Sequence, residues 1–173
     1  MQCVPADVAE AVLAALPNAV HESVTSAPLL GWVPTPSHVA LCKAWHRALG
    51  DDGYRTVFRE AFLAAVDAPF LGIIVKGSLR IFGRTPSAAV RAWAVGWPYV
   101  FRNGGAVEIV EAGQHNAVIR VVKLPPSLRD ESFALGVAGS FDGNAELVGK
   151  HGVTTYDTGQ LRRGTIELAL DWT

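Results

Sequence analysis

The chain has 173 residues, half of them hydrophobic and 18% charged, and its formal net charge is −1. A chain of this length can bury a sizeable core without a disulfide or metal, and we predict a single domain over residues 1–173. The hydrophobic content excludes a disordered chain. The balanced charge excludes the basic field on which nonspecific nucleic-acid binding depends.

Cysteine usage and the longest apolar run bear on the cellular location. Cys3 and Cys42 have no metal-ligand spacing, so we interpret both as reduced thiols. The N-terminus has no basic segment followed by an apolar one, and the run from Pro69 to Val75 is too short to span a bilayer. The sequence therefore predicts a cytoplasmic protein without a membrane span.

The first half of the chain carries helical patterns separated by proline and glycine. Ala6 to Leu16 predicts a short amphipathic helix, and Thr35-Pro36 begins a second helix that Gly50 ends. The weak periodicity of residues 18–34 predicts a packed connector instead of a helix. Its candidate buried residues are Leu29, Leu30 and Trp32.

Three further helices are predicted before the first strand. One follows Asp51 or Asp52, and the last begins at Thr85-Pro86 and carries Trp93 and Trp97. Between them the segment from Phe70 to Phe82 is apolar on most of its circumference, which predicts a central helix.

The second half of the chain changes to β patterns after the turn-forming residues Arg102 to Gly105. One helix is predicted within it, over about residues 128–148. The predicted strands are Val107 to Ile109, Val118 to Val122, Val153 to Tyr156 and Thr165 to Trp172. The fold class is therefore α+β, with a helical part over about residues 1–97 packed on a roughly four-stranded antiparallel sheet in residues 98–173.

Two groups of residues are candidates for chemistry. Cys42 and His46 are four residues apart and share a helix face, as a thiolate and its base would, although core packing explains the same spacing. An aromatic and basic set where helix meets sheet suits an apolar molecule with an anionic end, or alternatively closes the core. Its members are Trp93, Trp97, Tyr99, Arg102 and Arg120. The remaining histidines, at positions 21, 38, 115 and 151, are predicted to be solvated.

The order of several short motifs resembles an uncharacterised family of myxobacterial proteins over roughly Phe58 to Trp172. These motifs are Gly72 in an apolar helix, Ile81-Phe82-Gly83, Phe101-Arg102-Asn103-Gly104, Leu124-Pro125, Gly136 with Gly139, and Trp172 at the end of the last strand. The layout is similar to the broader superfamily of the 4-vinyl reductase domain, the haem nitric-oxide-binding domain and the Bet3-like tethering subunits.

This resemblance implies a protein that holds a small molecule between helices and sheet or acts as an assembly subunit. The chain departs from the superfamily, because Val153 to Trp172 has no cysteine and Thr85 to Trp97 has no histidine to serve as an axial haem ligand. We therefore predict no cofactor. The leading function is a non-enzymatic sensory or regulatory module for a small apolar or amphipathic ligand or a protein partner. The alternatives are an enzyme using Cys42 and His46, and a structural subunit that forms homodimers.

Overall fold

A computed structural model describes residues 4–28, 31–67 and 69–173, and the side chains of residues 69–71 and 74 lie outside that description. The α-helices are α1 (Ala6–Ala14), α2 (Asn18–Thr25), α3 (Thr35–Asp67), α4 (Pro69–Phe82), α5 (Pro86–Val100) and α6 (Glu131–Glu146). The strands are β1 (Ala106–Ala112), β2 (Asn116–Val122), β3 (Gly152–Asp157) and β4 (Ile166–Trp172). Short 3₁₀ turns occupy Pro126–Leu128 and Leu161–Arg163. The predicted α+β class is confirmed.

All four strands belong to one antiparallel sheet in the order β1-β2-β4-β3. On the buried face Ile119 of β2 is paired with Leu168 of β4, and neither is accessible to solvent. The alternation predicted for the last strand is confirmed, since Ile166, Leu168, Leu170 and Trp172 are all buried in the main core. This face of the sheet packs against α5 and α6.

Helix α6 lies between the sheet and α3, and glycines bring the two helices close together. A Cβ atom at Gly139 would lie 2.5 Å from the Arg55 carbonyl oxygen, and one at Gly136 would lie 2.9 Å from Phe58. The helix begins where the Asp130 carboxylate accepts a hydrogen bond from the Ser132 amide (3.0 Å). The glycine spacing thus serves close helix packing.

The long helix α3 is interrupted at Gly50, where the backbone has φ 65° and ψ −178°. This conformation favours glycine and divides α3 into a first half before residue 50 and a second half after it. The sequence predicted two helices separated at this residue, and the break is confirmed.

Three sequence predictions about the helical half are wrong. Residues 18–25 form α2 instead of a connector, because Pro17 starts a short polar helix that has no buried residue and so no clear periodicity. Trp32 is 49% exposed, while Leu29 and Leu30 lie outside the described residues. Helix α4 is not central, because it packs on α5 and α3 and leaves Ile73 and Ile81 75% and 80% exposed.

The end of helix α5 differs from the predicted one by a few residues. Helix α5 continues through Pro98 to Val100, three residues beyond the predicted end at Trp97. The chain then turns at Asn103 (φ 58°) and Gly105 (φ 81°), within the segment predicted for the turn.

No helix in the described ranges is both long and apolar enough to cross a membrane.

Candidate functional site

Trp93 and Trp97 come together inside the core, with ring centroids 5.2 Å apart. Both indole N–H groups have acceptors. Trp97 Nε1 donates to the Gly104 carbonyl oxygen (3.1 Å), and Trp93 Nε1 donates to the Asn144 side-chain oxygen (2.8 Å) when that amide is oriented to suit its neighbours. A buried tryptophan with a satisfied N–H is stable as a core residue.

Further aromatic rings fill the space around this pair. Phe62 and Phe141 stack on Trp93 with centroid distances of 5.7 and 5.4 Å, and Phe101 lies 4.4 Å from Trp97. These rings come from α3, α5, α6 and the turn after α5, so the junction between helices and sheet is occupied by side chains. The two tryptophans therefore act as core residues in this structure.

The resemblance to the haem nitric-oxide-binding domain implies a haem site between helices and sheet. The packing beside α5 shows whether the residues there fit a haem group. The inner face of α5 presents Ala89, Val90, Trp93 and Trp97, none of which can ligate iron, and the aromatic rings occupy the space beside it. In the described part of the chain no three His, Cys, Asp or Glu side chains lie close enough to hold a metal ion. The residues do not fit haem at this position.

The other three members of the predicted binding set lie apart from the tryptophans. Tyr99 and Arg102 are exposed at the end of α5 and in the following turn. Arg120 lies on the outer face of the sheet, where its Nε donates to Glu167 (2.7 Å). Trp93 and Trp97 are in ring contact, and a ligand-binding role for the five residues stays a prediction.

Cys42 is buried beside Tyr54, and its thiol lies within hydrogen-bond distance of His38. Cys42 Sγ lies 3.5 Å from His38 Nε2, and burial raises the pKa of the Cys42 thiol to about 11. His38 was predicted to be solvated, but it packs edge-on against Phe101 and Phe133, and burial lowers its pKa. A covered, neutral thiol does not favour the cysteine-enzyme alternative. Cys3 lies outside the described residues.

His46 instead joins Asp51 and Ser132. Its Nδ1 lies 2.9 Å from Ser132 Oγ, and its Nε2 lies 2.7 Å from Asp51 Oδ1. Sequence reasoning missed this arrangement because Ser132 is 86 positions from His46, and because the bend at Gly50 alone brings Asp51 back to the histidine. No local spacing signals it.

A groove of about 570 Å³ runs between α1 and the first half of α3. Small side chains create it, because Ala40, Ala44 and Ala48 recur every four residues along α3 and face the groove. Val8 and Val12 of α1 contribute larger apolar groups to the wall. The sequence contained this alanine repeat, but nothing in it indicated that a neighbouring helix would leave the repeat uncovered.

Two cations lie at the rim of this groove. Lys43 forms an ion pair with Asp130 (Nζ–Oδ2 2.7 Å), whereas Arg47 is exposed and has no ion pair within the described residues. An apolar floor beneath a guanidinium that has no ion pair among the described residues is a surface for a molecule with an apolar body and an anionic end.

No protein-family model and no curated protein matches the sequence. The structure is similar to the crystal structure of the Fe(II) unliganded H-NOX protein from K. algicida, with a TM-score of 0.67 and 8% identity over 96% of this chain and 86% of that chain. The crystal structure of a mutant of the same protein is also similar, with a TM-score of 0.61 and 9% identity over 97% of this chain and 94% of that chain. The myxobacterial and 4-vinyl reductase resemblances stay predictions. At the level of fold, the chain is H-NOX-like.

Proposed function

We propose that this protein is a sensory module that binds an amphipathic molecule with a carboxylate head in the groove between α1 and α3. The observation that carries the proposal is Arg47, an exposed cation without an ion pair in the described residues, at the rim of an alanine-lined apolar groove. The H-NOX-like fold supports a sensory role by analogy only.

The size and chemistry of the groove suit a fatty-acid-like ligand. Its volume of about 570 Å³ falls within the range of small-molecule sites, which is roughly 300–1,000 Å³. Burying the chain against Val8, Val12 and the α3 alanines contributes about 25 cal/mol per Å² of apolar surface. The carboxylate then accepts two hydrogen bonds from the Arg47 guanidinium, which discriminates it from an uncharged head.

The location of the groove beside the first half of α3 supports a regulatory role for this site. The first half of α3 forms one wall of the groove and carries His46, which is bonded to Ser132 of α6. A ligand that moves this half of α3 consequently acts on α6, which packs on the sheet. We keep the cytoplasmic location and the homodimer as predictions, and a purely structural subunit is the alternative if no ligand binds.

The test is a titration of the purified protein with oleate by calorimetry. Arg47→Ala should weaken binding by about ten- to hundredfold, in line with the roughly 1.5–3 kcal/mol of a charged hydrogen bond. Arg102→Ala is the matched control, because Arg102 is also exposed but lies in the turn after α5. Ala44→Phe should block the groove, whereas Ala64→Phe, an exposed site in the second half of α3, should not.

The outcomes separate the two candidate sites. Loss of binding in Arg102→Ala with normal binding in Arg47→Ala would move the site to the aromatic and basic set predicted from sequence. An absence of heat with oleate and with shorter carboxylates, while the protein remains folded, would rule out the ligand-binding function.

A further inference from the structure

Ser132, His46 and Asp51 form a continuous hydrogen-bonded chain that the ligand-binding function does not use. The distances are 2.9 Å from Ser132 Oγ to His46 Nδ1 and 2.7 Å from His46 Nε2 to Asp51 Oδ1. A hydroxyl, an imidazole and a carboxylate in this order are the groups of a serine nucleophile, its base and the group that orients the base.

When the imidazole of His46 is neutral, the Asp51 carboxylate fixes the direction of both hydrogen bonds. The Asp51 carboxylate can only accept, so His46 Nε2 carries the proton and donates it to Asp51. Nδ1 of the neutral ring then has a free lone pair, which accepts the hydrogen bond from the Ser132 hydroxyl. His46 is therefore held in the tautomer that can remove the Ser132 proton. The nitrogens have the opposite roles to those in the familiar proteases, but the proton path is equivalent.

A substrate can reach this chain of groups from an open cavity. His46 and Ser132 both line a polar cavity of about 710 Å³, together with Lys43, Arg129 and Thr158. Ser132 lies in the first turn of α6, where its own backbone N–H is bonded to the Asp130 carboxylate (3.0 Å). Asp130 and Glu131 also line the cavity, so the stabilisation of a negatively charged tetrahedral intermediate at the serine falls to the cationic side chains of Lys43 and Arg129.

The geometry points to a second activity, hydrolysis of small acyl esters with Ser132 as the nucleophile. Ser132 Oγ forms a bond to the acyl carbon while its proton passes to His46 Nδ1. The bond from that carbon to the alkoxy oxygen breaks, and the departing alcohol takes the proton from Nδ1. A water molecule then attacks the acyl-serine and gives a proton to Nδ1, and this proton returns to Ser132 as the carboxylic acid leaves.

This activity is independent of the proposed ligand site. Ser132, His46 and Asp51 are absent from the wall of the groove, although Lys43 lines both cavities. Failure of oleate binding and failure of ester hydrolysis are therefore separate results.

Hydrolysis of p-nitrophenyl acetate tests the catalytic roles. Ser132→Ala and His46→Gln should reduce the rate of hydrolysis to that of the buffer. Asp51→Asn should lower kcat/KM by roughly tenfold or more, because Asp51 orients the general base and general-base catalysis accelerates a reaction about 10²–10⁴-fold. Asp51 is 79% exposed, so Asp51→Asn keeps the fold even where the other two variants are destabilised. Ser140→Ala is the control, because the Ser140 hydroxyl donates to the Gly136 carbonyl within the same helix.

A fluorophosphonate probe tests the nucleophile directly. The full chain should be labelled at Ser132, identified by peptide mass spectrometry, and labelling should be lost in His46→Gln while persisting in Ser140→Ala. Equal labelling and equal ester hydrolysis in the wild type and in folded Ser132→Ala would overturn the proposal and leave the three groups as a polar link between α3 and α6. An Asp51→Asn variant with the full wild-type rate would remove Asp51 from the mechanism.

Discussion

Arg55 and Asp142 form a bidentate ion pair that joins the second half of α3 to α6. Arg55 Nε lies 2.5 Å from Asp142 Oδ2, and Arg55 Nη2 lies 2.9 Å from Asp142 Oδ1. Asp142 also accepts a hydrogen bond from the Thr154 amide (2.7 Å), and Arg55 donates to the Thr154 carbonyl oxygen. The hydrogen bonding to Asp142 raises the pKa of Arg55. One pair of side chains thus connects α3, α6 and β3.

Removing either member of this pair should destabilise the protein strongly. The side chains are 25% and 11% exposed, so Asp142→Ala leaves a poorly hydrated guanidinium without its partner, at a cost of about 3–5 kcal/mol. The control is Arg120→Ala, whose pair with Glu167 is 45% exposed on both sides and is worth about 0–1 kcal/mol. Urea unfolding measures the free energy of unfolding of both variants. If the two variants lose similar amounts of stability, burial does not explain the strength of the Arg55–Asp142 pair.

Two glycine substitutions should have opposite effects on stability. Gly139→Ala places a Cβ 2.5 Å from the Arg55 carbonyl oxygen, so the helices must separate, and the protein should lose about 1–3 kcal/mol. Gly77→Ala in α4 meets nothing within 4 Å and should gain about 0.5–1 kcal/mol from helix propensity. Thermal unfolding followed by circular dichroism gives the sign of each change.

Neighbouring residues at the end of β4 should respond very differently to mutation. Trp172 is buried and its Nε1 donates to the Gln114 carbonyl oxygen (2.9 Å), so Trp172→Ala should cost about 3–5 kcal/mol. Asp171 is exposed on the opposite face, and Asp171→Asn should be nearly neutral. Chemical denaturation measures the free energy of unfolding of both variants. If both lose the same stability, the assignment of the buried and exposed faces of β4 is wrong.

The thiol of Cys42 should react slowly in the folded protein and make stability depend on alkaline pH. Its folded pKa is raised from the ordinary 9.0 to about 11, so the unfolded thiol ionises first and stability falls by roughly 2 kcal/mol as pH rises from 9 to 11. Burial also raises the pKa of Tyr54, which adds to this loss. Urea midpoints should show a weaker pH dependence in Cys42→Ala. Rapid labelling of Cys42 at neutral pH in a Cys3→Ser background would contradict the burial.

Haemin added to the purified protein should not become ligated by a histidine of α5, because Pro86–Val100 contains none and Trp93 occupies the adjoining space. The measurement is the Soret band during a titration. Haemin is itself an amphipathic carboxylate, so any weak uptake should disappear in Ala44→Phe. A saturable one-to-one band shift that persists in this variant would show that the core accommodates haem.

Local sequence signals predicted the elements whose ends have strong chemical markers. Thr85 caps α5 by accepting a hydrogen bond from the Ala88 amide (3.2 Å), as the Thr-Pro pair indicated. The strictly alternating β4 was also predictable, because one of its faces is buried throughout. Helix α2 was missed because it is short and buries no residue, and α4 was misplaced because apolar content alone does not show which faces are covered.

The candidate sites depend on distant contacts that no local pattern records. The groove exists because α1 leaves the alanines of α3 uncovered, and the chain from Asp51 to Ser132 exists because α6 begins beside His46. The sequence correctly placed Trp93 and Trp97 near the junction of helix and sheet. Arg120 alternates with the buried Ile119 and Val121 along β2, and this alternation places it on the outer face of the sheet.

The order of the strands leaves β1 at an edge of the sheet that the described residues form, and an edge strand can pair with a strand of another chain. A bulge between Ile109 and Glu111 interrupts its regular geometry, and Glu108 and Glu111 place negative charge along it. Bulges and charged side chains on an edge strand oppose pairing with a second chain. The β1 edge should therefore resist fibril growth at high protein concentration, and self-association should favour helical surfaces such as the exposed Ile73 and Ile81 of α4.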